Sequence, residues 1–418
     1  MKYDVVVIGG GPAGMMAAGR AAECGAHVLL LEKNATLGKK LLITGGGRSN
    51  VTNAEFDQHL FLAKFKDAAK FLFSPLSQFG VQDTLDFFHA RGMLTKVEAE
   101  KRVFPQSNRA QSVWDTLVGY MGSGQVTVMT SMEVTGLETA DGKISAVRIK
   151  NGDKIRASAY VLATGGKSRP ETGSTGEGFE WLKKIGHTIT APRVSLVPLR
   201  IREKWVHQLS GLSFAEAKLT VYQGDEKQES KRGKILFTHV GLSGPLALNM
   251  SRNISESLQY GTVKLSIDLR PEKNIGELDK ELQVFFEKEK NKQIKNSLGG
   301  FVAALLVPVL LKLTKIDPEK LVHSISRPER IRIVHSLKGL SMTVSGLLGA
   351  DKAIVTSGGV SLEEVDFGHM RSRRYPNLYL VGDVLDIDRP SGGYSLQLCW
   401  TTGYVAGTAA ANEKIKNL

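Results

Sequence analysis

The stretch YDVVVIGGGPAGMMAAGRAAECGAHVLLLEK, residues 3–33, leaves the chain few ways to begin folding. Val5, Val6, Val7 and Ile8 form an unbroken apolar run that stops at glycine, the pattern of a strand buried on both faces. Gly9, Gly11 and Gly14 satisfy G-x-G-x-x-G, Pro12 and Ala13 lie between the last two, and a helix is predicted over 12–23. A second strand over 27–31 ends at Glu32, 18 positions beyond Gly14. Each residue type has a mechanical task. Gly9 permits the tight turn, Gly11 lets a pyrophosphate approach the backbone, and Gly14 lets helix and strand pack closely. The helix N-terminus offers free N–H groups to the phosphates. Glu32 can accept hydrogen bonds from ribose hydroxyls and would repel the 2′-phosphate of NADP. The expectation is an α/β, Rossmann-like fold with Gly9, Gly11, Pro12, Ala13, Gly14, Glu32 and Lys33 in contact with a dinucleotide.

Distant segments decide between NAD and FAD. AYVLATGGKS (159–168) reads as a strand ending in a sharp turn at Ala163, Thr164 and Gly165. NLYLVGDVLD (377–386) reads as another strand, ending at Gly382 and Asp383, and a helix runs from there toward the C-terminus. With the early glycine motif and Glu32, these features resemble the glutathione-reductase-like class of FAD-binding proteins. The resemblance implies that Asp383 contacts the ribityl chain and that Gly393, Tyr394, Ser395 and Leu396 lie at the flavin ring. It also places the adenine against the backbone near Val134. A helix N-terminus at the ring would stabilise the negative charge that reduction builds there.

KKLLITGGGRSNVTN, TGSTGEG, FTHVGLSGP, VTSGGVSLEEVD and GDVLDIDRPSGGYSLQLCW narrow the match further. Together they resemble the BaiN/YhiN-like bacterial flavoproteins, a family that includes aminoacetone oxidase-like proteins, over nearly the whole chain. Two positions depart from the family pattern. Ser49 stands where a cysteine is common, and Ser395 where an asparagine is common. The first removes a thiol from the glycine loop, so cysteine-based redox chemistry is not expected. The loop itself lacks the lysine-serine/threonine ending of a P-loop. It is expected to act as a second clamp on FAD: Gly45, Gly46 and Gly47 allow close backbone approach, and Arg48, Asn50, Lys39 and Lys40 offer donors.

An FAD domain built from both chain ends leaves the middle as insertion. The expected boundaries are 1–192 with 350–418 for the FAD domain, 193–268 with 337–349 for a small β-domain, and 269–336 for a helical domain. The β-domain is expected from short strands at regular spacing and the helical one from apolar residues at helical spacing among Lys and Glu. Substrate is then expected where the insertions face the flavin. His239, in FTHVGLSGP, is the candidate proton donor.

Composition excludes several classes. Cys24 and Cys399 are the only cysteines, with no C-x-x-C spacing and no metal-ligand cluster. There is no G-x-S-x-G, so a hydrolase triad has no support. The longest strongly apolar run, FVAALLVPVLL, is too short to span a bilayer, and the N-terminus enters a strand without a cleavage-site pattern. A cytoplasmic protein is expected. A second G-x-G-x-x-G is absent, so NAD(P)H, if it is the reductant, docks transiently. The expected function is an FAD-dependent oxidoreductase that passes a hydride between a small-molecule substrate and flavin N5, with NAD(P)H or O2 as redox partner. The formal charge of +13 keeps a flavin-dependent RNA-modifying enzyme open as a rival, although the basic residues are scattered. An FAD-binding protein without turnover is the other rival.

Overall fold

The computed structural model describes residues 3–258, 260–348 and 355–416. Within them the N-terminal apolar run becomes the strand Tyr3–Ile8, at the heart of a seven-stranded sheet. In spatial order the strands are Val365–Asp366, Arg371–Ser372, Leu378–Leu380, Ala157–Leu162, Tyr3–Ile8, Val28–Leu31 and Thr127–Met129. The last five pair in parallel, so their C-terminal ends share one edge. That edge is where a Rossmann-type sheet binds its ligand. Val5, Val6 and Val7 are fully buried, which explains why the strand is apolar without alternation.

The helix Pro12–Glu23 packs on this sheet through small residues. At Gly14 a Cβ would sit 1.9 Å from the Gly9 carbonyl oxygen, so no side chain is tolerated. The helix Tyr394–Lys416 crosses the same helix closely. A Cβ at Gly403 would meet the Ala13 carbonyl oxygen at 2.5 Å, and one at Gly407 would meet that of Ala17 at 2.5 Å. The two helices that start at the cofactor edge are therefore fixed against each other backbone to backbone.

The chain divides into two compact units, Met1–Ser195 with Ala353–Leu418, and Leu196–Lys352. The first also holds two small antiparallel sheets and the ladder between Ile189–Ser195 and Val355–Val360, where the chain leaves and re-enters it. The second contains a closed six-stranded barrel: Leu199–Ile201, Gly241–Ser243, Glu226–Thr238, Ser213–Gln223, Val263–Asp268 and Leu340–Leu347. The helices Ile275–Glu289, Val307–Thr314 and Arg327–Lys338 share one hydrophobic core with this barrel, through Leu282, Leu310 and Ile333 among others. The segment 269–336, expected as a helical domain of its own, is thus continuous in its core with the β-strands. The expected boundary at 349–350 lies outside the described residues.

Candidate functional site

One cleft in the first unit opens along the C-terminal edge of the large sheet. It brings together segments far apart in sequence: Gly9, Gly11, Pro12 and Ala13; Glu32 and Lys33; Lys39 and Lys40; Val134; Ala163, Thr164 and Gly165; Gly382 and Asp383; Ser395 and Leu396.

At one end sits Glu32, buried to 8 % exposure. Its Oε2 accepts the Gly10 N–H at 2.7 Å, and its Oε1 accepts the Asn34 N–H at 2.8 Å and the Asn34 side-chain amide at 2.7 Å. A carboxylate has about four acceptor sites, so roughly one remains, on Oε2. The Met132 N–H donates to the Glu32 carbonyl at 2.9 Å, which sets Met132 and Val134 beside it. Asn34 was not singled out from sequence. Nothing local marks it, because its task is to orient a carboxylate two residues away.

In the middle, the helix Pro12–Glu23 begins at Gly11 with no side-chain cap. Its first N–H groups are therefore left to a ligand. A Cβ at Gly11 would meet nothing within 4 Å and would project into the cleft. The residues present fit a dinucleotide: an open backbone cradle at an uncapped helix N-terminus, with a carboxylate held at the ribose position.

At the other end, Asp383 lies between two cations. Its Oδ2 is 3.1 Å from Lys40 Nζ, and its Oδ1 is 2.9 Å from an Arg389 guanidinium nitrogen. Burial pushes the Asp383 carboxyl up, but Arg389 and Lys40 outweigh burial and bring it to about 2. Cys399, which also lines this end, is pushed up to about 12 by burial and by the Asp383 charge, so its thiol is neutral at pH 7. Arg389 was not singled out either. Arginine is rarely fully buried, and nothing in DIDRPSGG announces that this one is.

Other expected contacts lie elsewhere. Gly14 packs beneath the cleft against Gly9 and Ala163. Gly45, Gly46 and Gly47 do not line the cleft; they form a turn in which the Ser49 N–H donates to the Thr44 carbonyl at 2.9 Å. Arg48 also turns away. Its guanidinium donates to the Glu98 carboxylate, at 3.2 Å for the longer of two bonds, and stacks 4.1 Å from the Phe104 ring. Asn50 accepts the Val103 N–H at 3.2 Å. Gly393 packs against the Thr52 backbone, and the Tyr394 ring lies 4.9 Å from that of Phe61. The loop's role is indirect. Just beyond it, the Val51 carbonyl accepts from Trp400 Nε1 at 2.9 Å, and Thr52 bonds Gln397 at 2.6 Å. Those bonds hold the start of the C-terminal helix, which carries Ser395 and Leu396 into the cleft. Lys33 is paired with Glu177 at 2.7 Å, and the exposed Lys39 reaches the Asn34 side chain at 3.1 Å. His239 is an exposed turn residue of the barrel unit, with no hydrogen-bond partner among the described residues.

The sheet order, the uncapped helix and the acid at the second strand end define a dinucleotide-binding protein of Rossmann type. Against known proteins, the family described as "HI0933-like protein Rossmann domain" matches residues 3–409, and the chain belongs to that family. A 3-dehydro-bile acid delta(4,6)-reductase of Clostridium scindens is 31 % identical over 97 % of this chain and 98 % of its own length. A ribosomal RNA dihydrouridine synthase of Escherichia coli is 29 % identical over 96 % of each chain. Among solved structures, a 3-ketosteroid-delta4-(5alpha)-dehydrogenase from Rhodococcus jostii RHA1 shares the fold, with a TM-score of 0.55 and 16 % identity over 98 % of this chain and 97 % of that one. The protein is an FAD-dependent oxidoreductase. No helix among the described residues is long and apolar enough to cross a membrane.

Proposed function

We propose that the protein uses reduced FAD to saturate a carbon–carbon double bond conjugated to a carbonyl group. The observation that carries this reading is that two relatives matching the whole chain have names describing that bond change, one on a 3-oxo steroid and one on a uracil ring. When bound, FAD supplies the hydride for the electron-poor carbon of such a bond. The chain's own residues do the rest. Glu32 takes a ribose hydroxyl through the free site on Oε2, and the N–H groups after Gly11 hold the pyrophosphate. Ser395 and Leu396 line the cleft at the start of the C-terminal helix, where the positive end of the helix dipole would stabilise negative charge on the ring of a bound FAD. Saturation is completed by a proton delivered to the neighbouring carbon by a general acid. NAD(P)H is the proposed source of electrons, docking transiently.

The test is anaerobic stopped-flow with the yellow protein. NADH or NADPH should bleach the flavin band, and a steroid 4,6-dien-3-one should restore it. Failure of every conjugated carbonyl compound to reoxidise the flavin, while oxygen does so, would refute the reading. The formal charge of +13 favours a second carrier for the same bond, a uridine in RNA. Reoxidation by a ribosomal RNA transcript but not by the steroid would select it.

A further inference from the structure

Arg389 is the feature that FAD binding as described leaves without a role. Its side chain is 0 % exposed, and Nε and both terminal nitrogens find no hydrogen-bond geometry with any neighbour among the described residues. A buried guanidinium in that condition is costly unless its charge is used. Among the described residues its one ionic contact is Asp383, at 2.9 Å. Asp383 is already neutralised from the other side by Lys40, at 3.1 Å. The trio therefore carries one positive charge in excess.

The position of that excess is set by the cleft. Glu32 marks the adenosine end and the Gly11 turn marks the phosphates. Lys40, Asp383, Ser395 and Leu396 line the remaining end, where the flavin of a bound FAD would lie. Two-electron reduction of a flavin that takes up one proton leaves one negative charge on the ring. A neighbouring cation lowers the free energy of that form more than that of the neutral oxidised form, and low local polarity strengthens the effect.

We propose that Arg389, through its contact with Asp383, sets an excess positive charge beside the flavin and so raises the reduction potential of the bound cofactor. Arg389 acts through field and position, without touching substrate. The proposal does not depend on which conjugated bond the enzyme reduces.

The test is the midpoint potential of the purified holoprotein, read spectrally during slow reduction by xanthine and xanthine oxidase with a reference dye. Arg389→Gln removes the excess charge and should lower the potential by about 30 mV or more, a tenfold change in a two-electron equilibrium. Asp383→Asn adds to the excess and should raise it by a comparable amount. Arg389→Lys keeps the charge and should stay within about 10 mV of the parent. Equal potentials in all four proteins would overturn the proposal. So would shifts of the same sign in Arg389→Gln and Asp383→Asn, which would report a general change in solvation. Weaker FAD binding at unchanged potential would also overturn it, because the charge would then serve the phosphates. If Arg389→Gln does not fold, the upward shift in Asp383→Asn and its absence in Arg389→Lys decide the matter.

Discussion

Replacing Glu32 by glutamine separates what this carboxylate does for the protein from what it does for the cofactor. In the structure it accepts three hydrogen bonds, from the Gly10 N–H and from the backbone and side-chain amides of Asn34. The glutamine amide keeps one oxygen and points two N–H groups where Oε1 or Oε2 had been. At least one buried donor then faces a donor, which costs about 1–3 kcal/mol. That loss is present with or without FAD, so it belongs to the apoprotein and should appear as a lower midpoint in urea unfolding. The ribose contact is a separate, charge-assisted bond worth about 1.5–3 kcal/mol, and it is lost only from the complex. At about 1.4 kcal/mol per factor of ten, FAD affinity should fall roughly 10- to 100-fold. Titration of deflavinated protein with FAD, followed by quenching of flavin fluorescence, measures it. An affinity within twofold of the parent would refute the assignment of Glu32 to the ribose, whatever happens to stability. An unchanged unfolding midpoint would refute the reading of its hydrogen bonds to Gly10 and Asn34.

Three further outcomes follow from the same geometry. Arg48→Ala should leave FAD affinity within about threefold while lowering the unfolding midpoint by the equivalent of about 1–2 kcal/mol, because its partners are Glu98 and Phe104; a tenfold loss of affinity would restore Arg48 to the cofactor. Gly14→Ala places a methyl 1.9 Å from the Gly9 carbonyl and should yield protein that is poorly folded and colourless on purification, whereas a normal yellow preparation would contradict the packing described. Asp383 is held at about 2, below the ordinary 3.8, so its ionised form stabilises the fold by about 2 kcal/mol. Because the folded value is the depressed one, that contribution is complete above roughly pH 4 and is lost as pH falls toward 2. Acid unfolding of the Asp383→Asn protein should therefore show a shallower slope in that window, and identical slopes would count against the ionised aspartate.

The N-terminal unit shows how much a sequence can carry by itself. Strand, turn, helix and acid are encoded in 31 consecutive residues, 3–33, because each constraint there is local. A tight turn needs glycine, a close helix needs a missing Cβ, and an uncapped N-terminus leaves its N–H groups to a phosphate. The strand ends at Thr164 and Asp383 were legible for the same reason, as was the barrel's run of short strands. Long-range partnership was not legible. The loop TGGGRSNVTN has the composition of a phosphate clamp, yet the fold gives Arg48 to Glu98, 50 residues away, and uses Val51 and Thr52 to seat the C-terminal helix. Lys40 and Asp383 meet across 343 residues because the parallel sheet order lays their segments at one edge. Which cations surround that carboxylate, and that Arg389 is buried among them, depends on how distant strands stack. No residue type announces that in advance. The local chemistry of the chain determined that it holds a dinucleotide; the tertiary fold decided which charges stand around it.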